Sequence, residues 1–348
     1  MLRIVDANLN RIGEGLRLLE DITRFILNDA DLSEQLKTLR HELLPKDRSV
    51  QKRLLNARKA EEDVGAFLDL ESEAERTDTV SLVSANSRRV QQSLRVLEEV
   101  AKIHGPESGL DWDKFKHARF NLYMLEQQIV QKLLRQQKKA KISGLYVIMD
   151  AESLRGRNEV EATRQVIQGG ARMIQLRDKL RPKGMLVPLA QELKKICAES
   201  DVLFIVNDYL DLAIASDADG LHIGQEDLPL EIARKTLPED KIIGCSSATL
   251  EEALQAEKRG ADYIAVGSIY STQSKSDIRL AGLKTLRQVK KKVSVPVVAI
   301  GGISEDNVVD VIRAGADAVA VISAVMNSDD VKKASRRLTA IIKKGSAK

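Results

Sequence analysis

The chain has 348 residues, 43% hydrophobic and 30% charged, and 55 basic against 51 acidic side chains give a formal net charge of +4. This composition provides for a sizeable core and excludes extended disorder, and so small a charge excess leaves no electrostatic footprint for nucleic acid or a membrane surface. Aromatic residues are only 3% of the chain, too few for base-stacking platforms, and Cys197 and Cys245 are too far apart in sequence to read as a disulfide framework or a zinc motif.

The N-terminal stretch MLRIVDANLNRIGEG reaches charge within a few residues, and no apolar run approaches the ~18–20 residues that span a bilayer. A cytoplasmic protein with no membrane partner is expected. A homo-oligomer is compatible with the composition. Over the first 130 residues apolar positions such as Ile12, Leu16 and Leu19 recur at helical spacing, which predicts an all-α domain. The same segment repeats itself: ANLNRIGEGLRLLED from Ala7 matches ANSRRVQQSLRVLEE from Ala85, aligning Asn8 with Asn86, Arg11 with Arg89, Arg17 with Arg95 and Glu20 with Glu98. Each copy is followed by a second amphipathic segment, so a duplicated helical hairpin forming a bundle is expected. The four arginines would form either a phosphate-binding face or an ion-paired bundle surface.

From Gln131 a basic helical end, with residues 131–141 as the linker between the halves, runs into a strand and a different texture. Eight short β-rich runs follow in residues 142–348: GLYVIMD, MIQLRD, LFIVND, GLHIGQ, IIGCSS, YIAVGSI, PVVAIGG and AVAVISA. A helical segment fills each gap, the rhythm of a parallel (β/α)8 barrel of the TIM type, with a doubly wound open sheet as the alternative. In such a barrel the C-terminal ends of the strands converge on one rim, where chemistry is placed.

The unusual residues of this half fall at those ends. The second strand runs into Gln175, Arg177, Asp178 and Lys179, the third into Asn207 and Asp208, the fourth into LHIGQED with Asp227, and the fifth into Ser246. Taken singly, Asp208 or Asp227 reads equally well as a helix cap, Arg177 and Lys179 as solvated ion-pair partners, and His222 as a structural histidine. Taken together, two hard oxygen donors from neighbouring strands suit Mg²⁺, and Arg177, Lys179 and Lys275 supply positive charge for a diphosphate. Gly301, Gly302, Ile322 and Ser323 at the seventh and eighth ends, beside Thr272 and Ser274, read as a phosphate cradle or as ordinary tight turns. The arrangement predicts two phosphorylated small-molecule substrates.

The motifs QLRDK, ND, HIGQED, GCSS, STQSK, AIGGIS and VISA, in this order from Ile142 to Ile342, resemble those of the thiamine phosphate synthases. That resemblance implies condensation of a hydroxymethylpyrimidine diphosphate with a thiazole phosphate or its carboxylate, releasing diphosphate. It implies that Gln175 and Ser246 face the pyrimidine, that Arg177, Lys179, Asn207 and Lys275 hold the diphosphate with Asp178 among the substrate-binding residues, and that Asp208 and Asp227 ligate Mg²⁺. Thr272, Ser274, Gly302, Ile322 and Ser323 would hold the thiazole phosphate. Arg177, Lys179 and Lys275 would be catalytic through the leaving group. Ser268 and Ser271 stand where the family commonly has prolines, and Ser274 replaces a threonine. The helical half resembles an extension found on some two-part synthases, for which the implied role is a pyrimidine phosphate kinase, with docking as the alternative. A tautomerase-like or phosphate-binding barrel is the alternative for the second half.

Overall fold

The structure is a computed structural model that describes residues 1–58, 61, 77–104, 110–272 and 279–346. It divides into two compact units, Met1–Leu134 and Arg135–Lys348.

The first unit is helical. Among the described residues it holds α1 (Leu2–Phe25), α2 (Ala30–Leu43), α3 (Arg48–Ala57), α4 (Thr79–His104) and the greater part of α5 (Trp112–Ala140). The 3.6-residue period of α1 buries Ile12, Leu16 and Leu19 against Leu94, Leu97, Leu122 and Leu125. Gly15 lets α1 lie close to α4, since a Cβ there would stand 2.4 Å from Val90 Cγ2. The sequence repeat is also a structural one. Asn8 and Asn86 each donate to the carbonyl four residues back, at 2.8 and 2.9 Å, and the buried Glu20 and Glu98 are paired with Arg40 at 2.9 Å and Arg119 at 3.2 Å. Arg17 and Arg95 are committed to carboxylates on their own helices, at 3.5 Å to Glu20 and 2.7 Å to Glu98. Of the two readings of those arginines, the ion-paired bundle surface is the one found for this pair.

The second unit is a closed parallel barrel of eight strands among the described residues: β1 (Gly144–Asp150), β2 (Met173–Arg177), β3 (Leu203–Asn207), β4 (Gly220–Ile223), β5 (Ile242–Ser247), β6 (Tyr263–Val266), β7 (Val297–Ile300) and β8 (Ala318–Val321). β1 closes the ring against β8, with Leu145 opposite Val319. The period-2 alternation of β1 sends Leu145, Val147 and Met149 into the layer between sheet and helices, and Tyr146 and Ile148 into the barrel interior.

One bracket recurs at the opposite end of the barrel. Asp219, Asp262 and Asp317 immediately precede β4, β6 and β8, and their carboxylates accept from the backbone amides of Phe204 (3.0 Å), Ile243 (2.8 Å) and Val297 (2.7 Å) on the preceding strands. Their own amides donate back to the carbonyls of the same three residues. Lys194, Arg135 and Lys290 neutralise the three carboxylates at 2.6, 2.8 and 2.6 Å.

Arg135 lies in the segment expected to be a linker. Residues 131–140 are the last turns of α5, the basic helical end read from the sequence, and Arg135 reaches Asp262 and Glu239 while Lys138 reaches Asp240 at 2.8 Å. A chain beginning at Gln131 should therefore keep the barrel's full stability. One beginning at Ile142 leaves the buried Asp262 without Arg135, an expected loss of about 2 kcal/mol and about 4–8 °C in Tm. Circular-dichroism melts of the two chains check this, and equal Tm values would show that the α5 end contributes nothing.

Candidate active site

The barrel's C-terminal rim opens into a cavity of about 480 Å³. Small side chains make the space: Ala265 on β6 and Ala320 on β8 line it, where larger inward residues would fill the interior. Lys179, Asp227 and Ser246 line one part of the wall, and Thr272, Gly302, Ile322 and Ser323 another.

Gly301 and Gly302 follow β7 with φ of +101° and +64°. A Cβ on Gly301 would lie 2.0 Å from Ser268 Oγ, and one on Gly302 would lie 2.5 Å from the Ser271 carbonyl oxygen. Both conformation and space therefore require glycine here, and the backbone at the cavity wall stays bare.

Asp208 follows β3 in the left-handed region, φ +59°, which Asp tolerates better than most residues, and its amide donates to the His222 carbonyl at 2.8 Å. Its carboxylate is 3.1 Å from Lys179 Nζ and lies against that of Asp227. Asp227 Oδ2 accepts from the Gly224 amide at 2.7 Å. Burial first, then the hydrogen-bond contact and charge of Asp208, push the Asp227 carboxyl above its ordinary value. Two carboxylates held together against their own repulsion make a locus for positive charge. The described residues contain no cluster of three or more His, Cys, Asp or Glu that would enclose a metal. Two carboxylates are hard oxygen donors that leave most of a coordination sphere to water and substrate oxygens, a donor set that fits a hard cation.

The other residues of QLRDK diverge. Gln175 is buried and donates from Nε2 to Tyr146 Oη at 2.6 Å, and Arg177 is paired with Asp150 at the end of β1. Asp178 turns away from the cavity: its Oδ1 accepts from the amides of Leu180 (2.8 Å) and Arg181 (3.0 Å), and its other oxygen pairs with the Arg181 guanidinium. Burial works toward protonation, but the two amides and the guanidinium hold it below the ordinary carboxylate range. It shapes the loop that carries Lys179. Asn207 ends β3 opposite His222 and is half-buried. Ser274 and Lys275 lie outside the described residues.

His222 is buried at the centre of a polar chain: Nε2 is 2.9 Å from Ser246 Oγ, Nδ1 is 3.0 Å from Tyr263 Oη, and Tyr263 Oη is 3.2 Å from Tyr146 Oη. Tyr146, Tyr263 and Asp150 were not singled out by sequence reasoning, because an aromatic inside a strand reads as core and an aspartate at a strand end as a cap. Arg279, which lines the cavity and pairs with Glu252 at 2.6 Å, gave no motif signal. Both cysteines are free and buried, and burial pushes the Cys245 thiol up to about 11.

A model of the thiamine monophosphate synthase family matches residues 145–325, and a model of the ThiD2 family matches residues 3–128. Over 336 residues the chain is 39% identical to the thiamine-phosphate synthase of Synechocystis sp., an alignment spanning 97% of this chain and 94% of that protein. The chain belongs to the thiamine-phosphate synthase family. It is accordingly a transferase of thiamine biosynthesis. Within the family, the synthase of Methanocella arvoryzae is 50% identical over 199 residues, covering 57% of this chain but 94% of that protein. The solved thiamine phosphate pyrophosphorylase from Pyrococcus furiosus aligns with a TM-score of 0.56 and 44% identity, over 60% of this chain and 98% of that one. Proteins about the length of the barrel half thus carry the synthase name.

Gly302→Ala should keep the barrel's far-UV circular dichroism and lower turnover at least about tenfold, because the loop it displaces lines the cavity. Diphosphate release under saturating substrate checks this, and wild-type turnover would remove the β7 loop from the site.

Proposed function

We propose that the barrel condenses 4-amino-2-methyl-5-hydroxymethylpyrimidine diphosphate with a thiazole phosphate or its carboxylate, giving thiamine phosphate and diphosphate. The observation that carries this reading is the Asp208 and Asp227 pair beside Lys179, on a cavity that also reaches the bare backbone at Gly302. A cation on that pair is Mg²⁺ in this reading, and when bound it would neutralise charge on the diphosphate.

The chain's own residues do the rest. Lys179 and Arg177, with Lys275 on the sixth loop, hold the departing diphosphate and favour the charge that builds on it. Asn207 completes that contact, while Gln175 and Ser246 hold the pyrimidine ring. Thr272, Gly302, Ile322 and Ser323 hold the thiazole phosphate, and Ser274 joins them as a hydroxyl donor. Departure of diphosphate leaves a cation delocalised over the aminopyrimidine, which the thiazole nitrogen captures, so the protein supplies orientation and exclusion of water rather than a strong base. Asp178 acts in this scheme through the loop it braces, not through the substrate.

For the helical unit we propose the pyrimidine phosphate kinase role, which would supply the barrel's diphosphate. The ThiD2 match over residues 3–128 supports it, as does a cavity of about 730 Å³ whose lining includes Leu9, Leu54 and Phe115 together with Lys46, Arg53 and Lys114. Docking is the alternative. No described helix is long and apolar enough to cross a membrane, and a cytoplasmic location follows from phosphorylated substrates that do not cross bilayers unaided.

Diphosphate release with and without Mg²⁺ tests the barrel. Asp208→Ala and Asp227→Ala should each lower magnesium-dependent turnover by about a hundredfold or more with the fold intact. Wild-type rates in both would end the metal assignment. Pyrimidine monophosphate plus ATP should replace the diphosphate as substrate; absence of thiamine phosphate from that mixture leaves docking as the role of the helices.

A further inference from the structure

The barrel interior contains two phenols where phenylalanines would fill the same space. Tyr146 is 1% and Tyr263 0% exposed, and a buried hydroxyl is costly unless hydrogen-bonded. The site around them is built for their rings. A Cβ at Gly244 would lie 1.9 Å from Tyr263 Cζ, so the Tyr263 ring rests directly on the β5 backbone, and the His222 ring stacks on it with centroids 5.6 Å apart and planes 24° apart.

Each phenol has one proton, and a buried one needs an acceptor, which selects one order of donors. Gln175 Nε2 donates to Tyr146 Oη at 2.6 Å, and the reverse order at the 3.2 Å contact with Tyr263 would leave the buried Tyr146 proton without an acceptor, so Tyr146 is assigned as donor to Tyr263. Tyr263 in turn donates to His222 Nδ1 at 3.0 Å. A neutral imidazole that accepts at Nδ1 carries its hydrogen on Nε2, and that N–H faces Ser246 Oγ at 2.9 Å. Ser246 Oγ is thereby used as an acceptor, and its proton remains for the cavity it lines.

We infer that Tyr146, Tyr263 and His222 form a one-way hydrogen-bond chain that holds the Ser246 hydroxyl as a donor toward the cavity, making the barrel select a 4-aminopyrimidine over its 4-oxo counterpart. The inference rests on the synthase reading for the identity of the ring. An aminopyrimidine presents an unprotonated ring nitrogen beside its amino group, an acceptor for Ser246. The 4-oxo ring carries N–H at that position, and donor then faces donor. The three residues are positioning residues: they act on substrate through Ser246. Burial raises both phenols well above their ordinary range, so the two phenols keep their protons throughout the working pH range.

The test uses the full-length protein, with calorimetric binding of the 4-amino and 4-oxo pyrimidine diphosphates and, in parallel, diphosphate release on adding thiazole phosphate. Tyr263→Phe keeps the ring over Gly244 and removes the link. It is expected to weaken binding of the amino compound about tenfold, to lower the amino-to-oxo preference about tenfold, and to leave the KM for thiazole phosphate within about twofold. Tyr146→Phe, which cuts the chain one link further from Ser246, should shift the preference the same way and carries the readout if the first variant melts early. A preference unchanged in both variants overturns the inference, as does a wild type with no preference. A preference that collapses in the variants while the wild type releases no diphosphate supports the chain and defeats only the synthase reading.

Discussion

Strand register is the constraint on which the rest of the barrel depends. Side chains alternate across a strand, so a slip of one residue would carry Tyr146 and Ile148 out to the helices and bring Leu145 and Val147 into the interior. The brackets at Asp219, Asp262 and Asp317 oppose such a slip in three of the strand pairs, because each joins one aspartate to one residue of the preceding strand in both directions. The carboxylates are buried or half-buried and each is paired with a cation, Lys194, Arg135 or Lys290. With the register set at that end, the residues that arrive together at the opposite rim are also set.

At the rim the same geometry forces unlike chemistry together. Asp208 and Asp227 come from separate loops and meet against their own repulsion, relieved in part by Lys179. A polar chain crosses from Gln175 on β2 to Ser246 on β5, through residues that packing alone does not require to be polar. In the proposed reaction the two arrangements would divide the work, the charged pair at the diphosphate and the hydrogen-bond chain at the ring.

Much of this was legible in the sequence. All eight strands lie within the runs picked out by β-rich composition, because parallel strands buried on both faces leave a strong apolar signal. The helical repeat was legible because the same residues recur in two copies of one segment, and the structure pairs Glu20 and Glu98 in equivalent ways. Less visible was what each rim residue faces. Asp178 stands among basic residues in QLRDK, yet its carboxylate closes its own loop, since two amides lie within reach two and three residues on. Tyr146 and Tyr263 carried no signal because hydrophobic patterning cannot separate a phenol with a partner from a phenyl ring without one.

The sequence by itself determined the architecture, the division into a helical unit and a barrel, and the family, because periodicity and ordered motifs are properties of the linear chain. Only the tertiary structure decided that Arg135 and Lys138 at the end of α5 pair with Asp262 and Asp240, that Asp208 and Asp227 share one locus, and that His222 links Ser246 to two buried tyrosines. The physical reason is that hydrogen bonds and charge contacts act over about 3 Å in space. The partners here are separated by many residues in sequence, and closure of the barrel is what brings them within that distance.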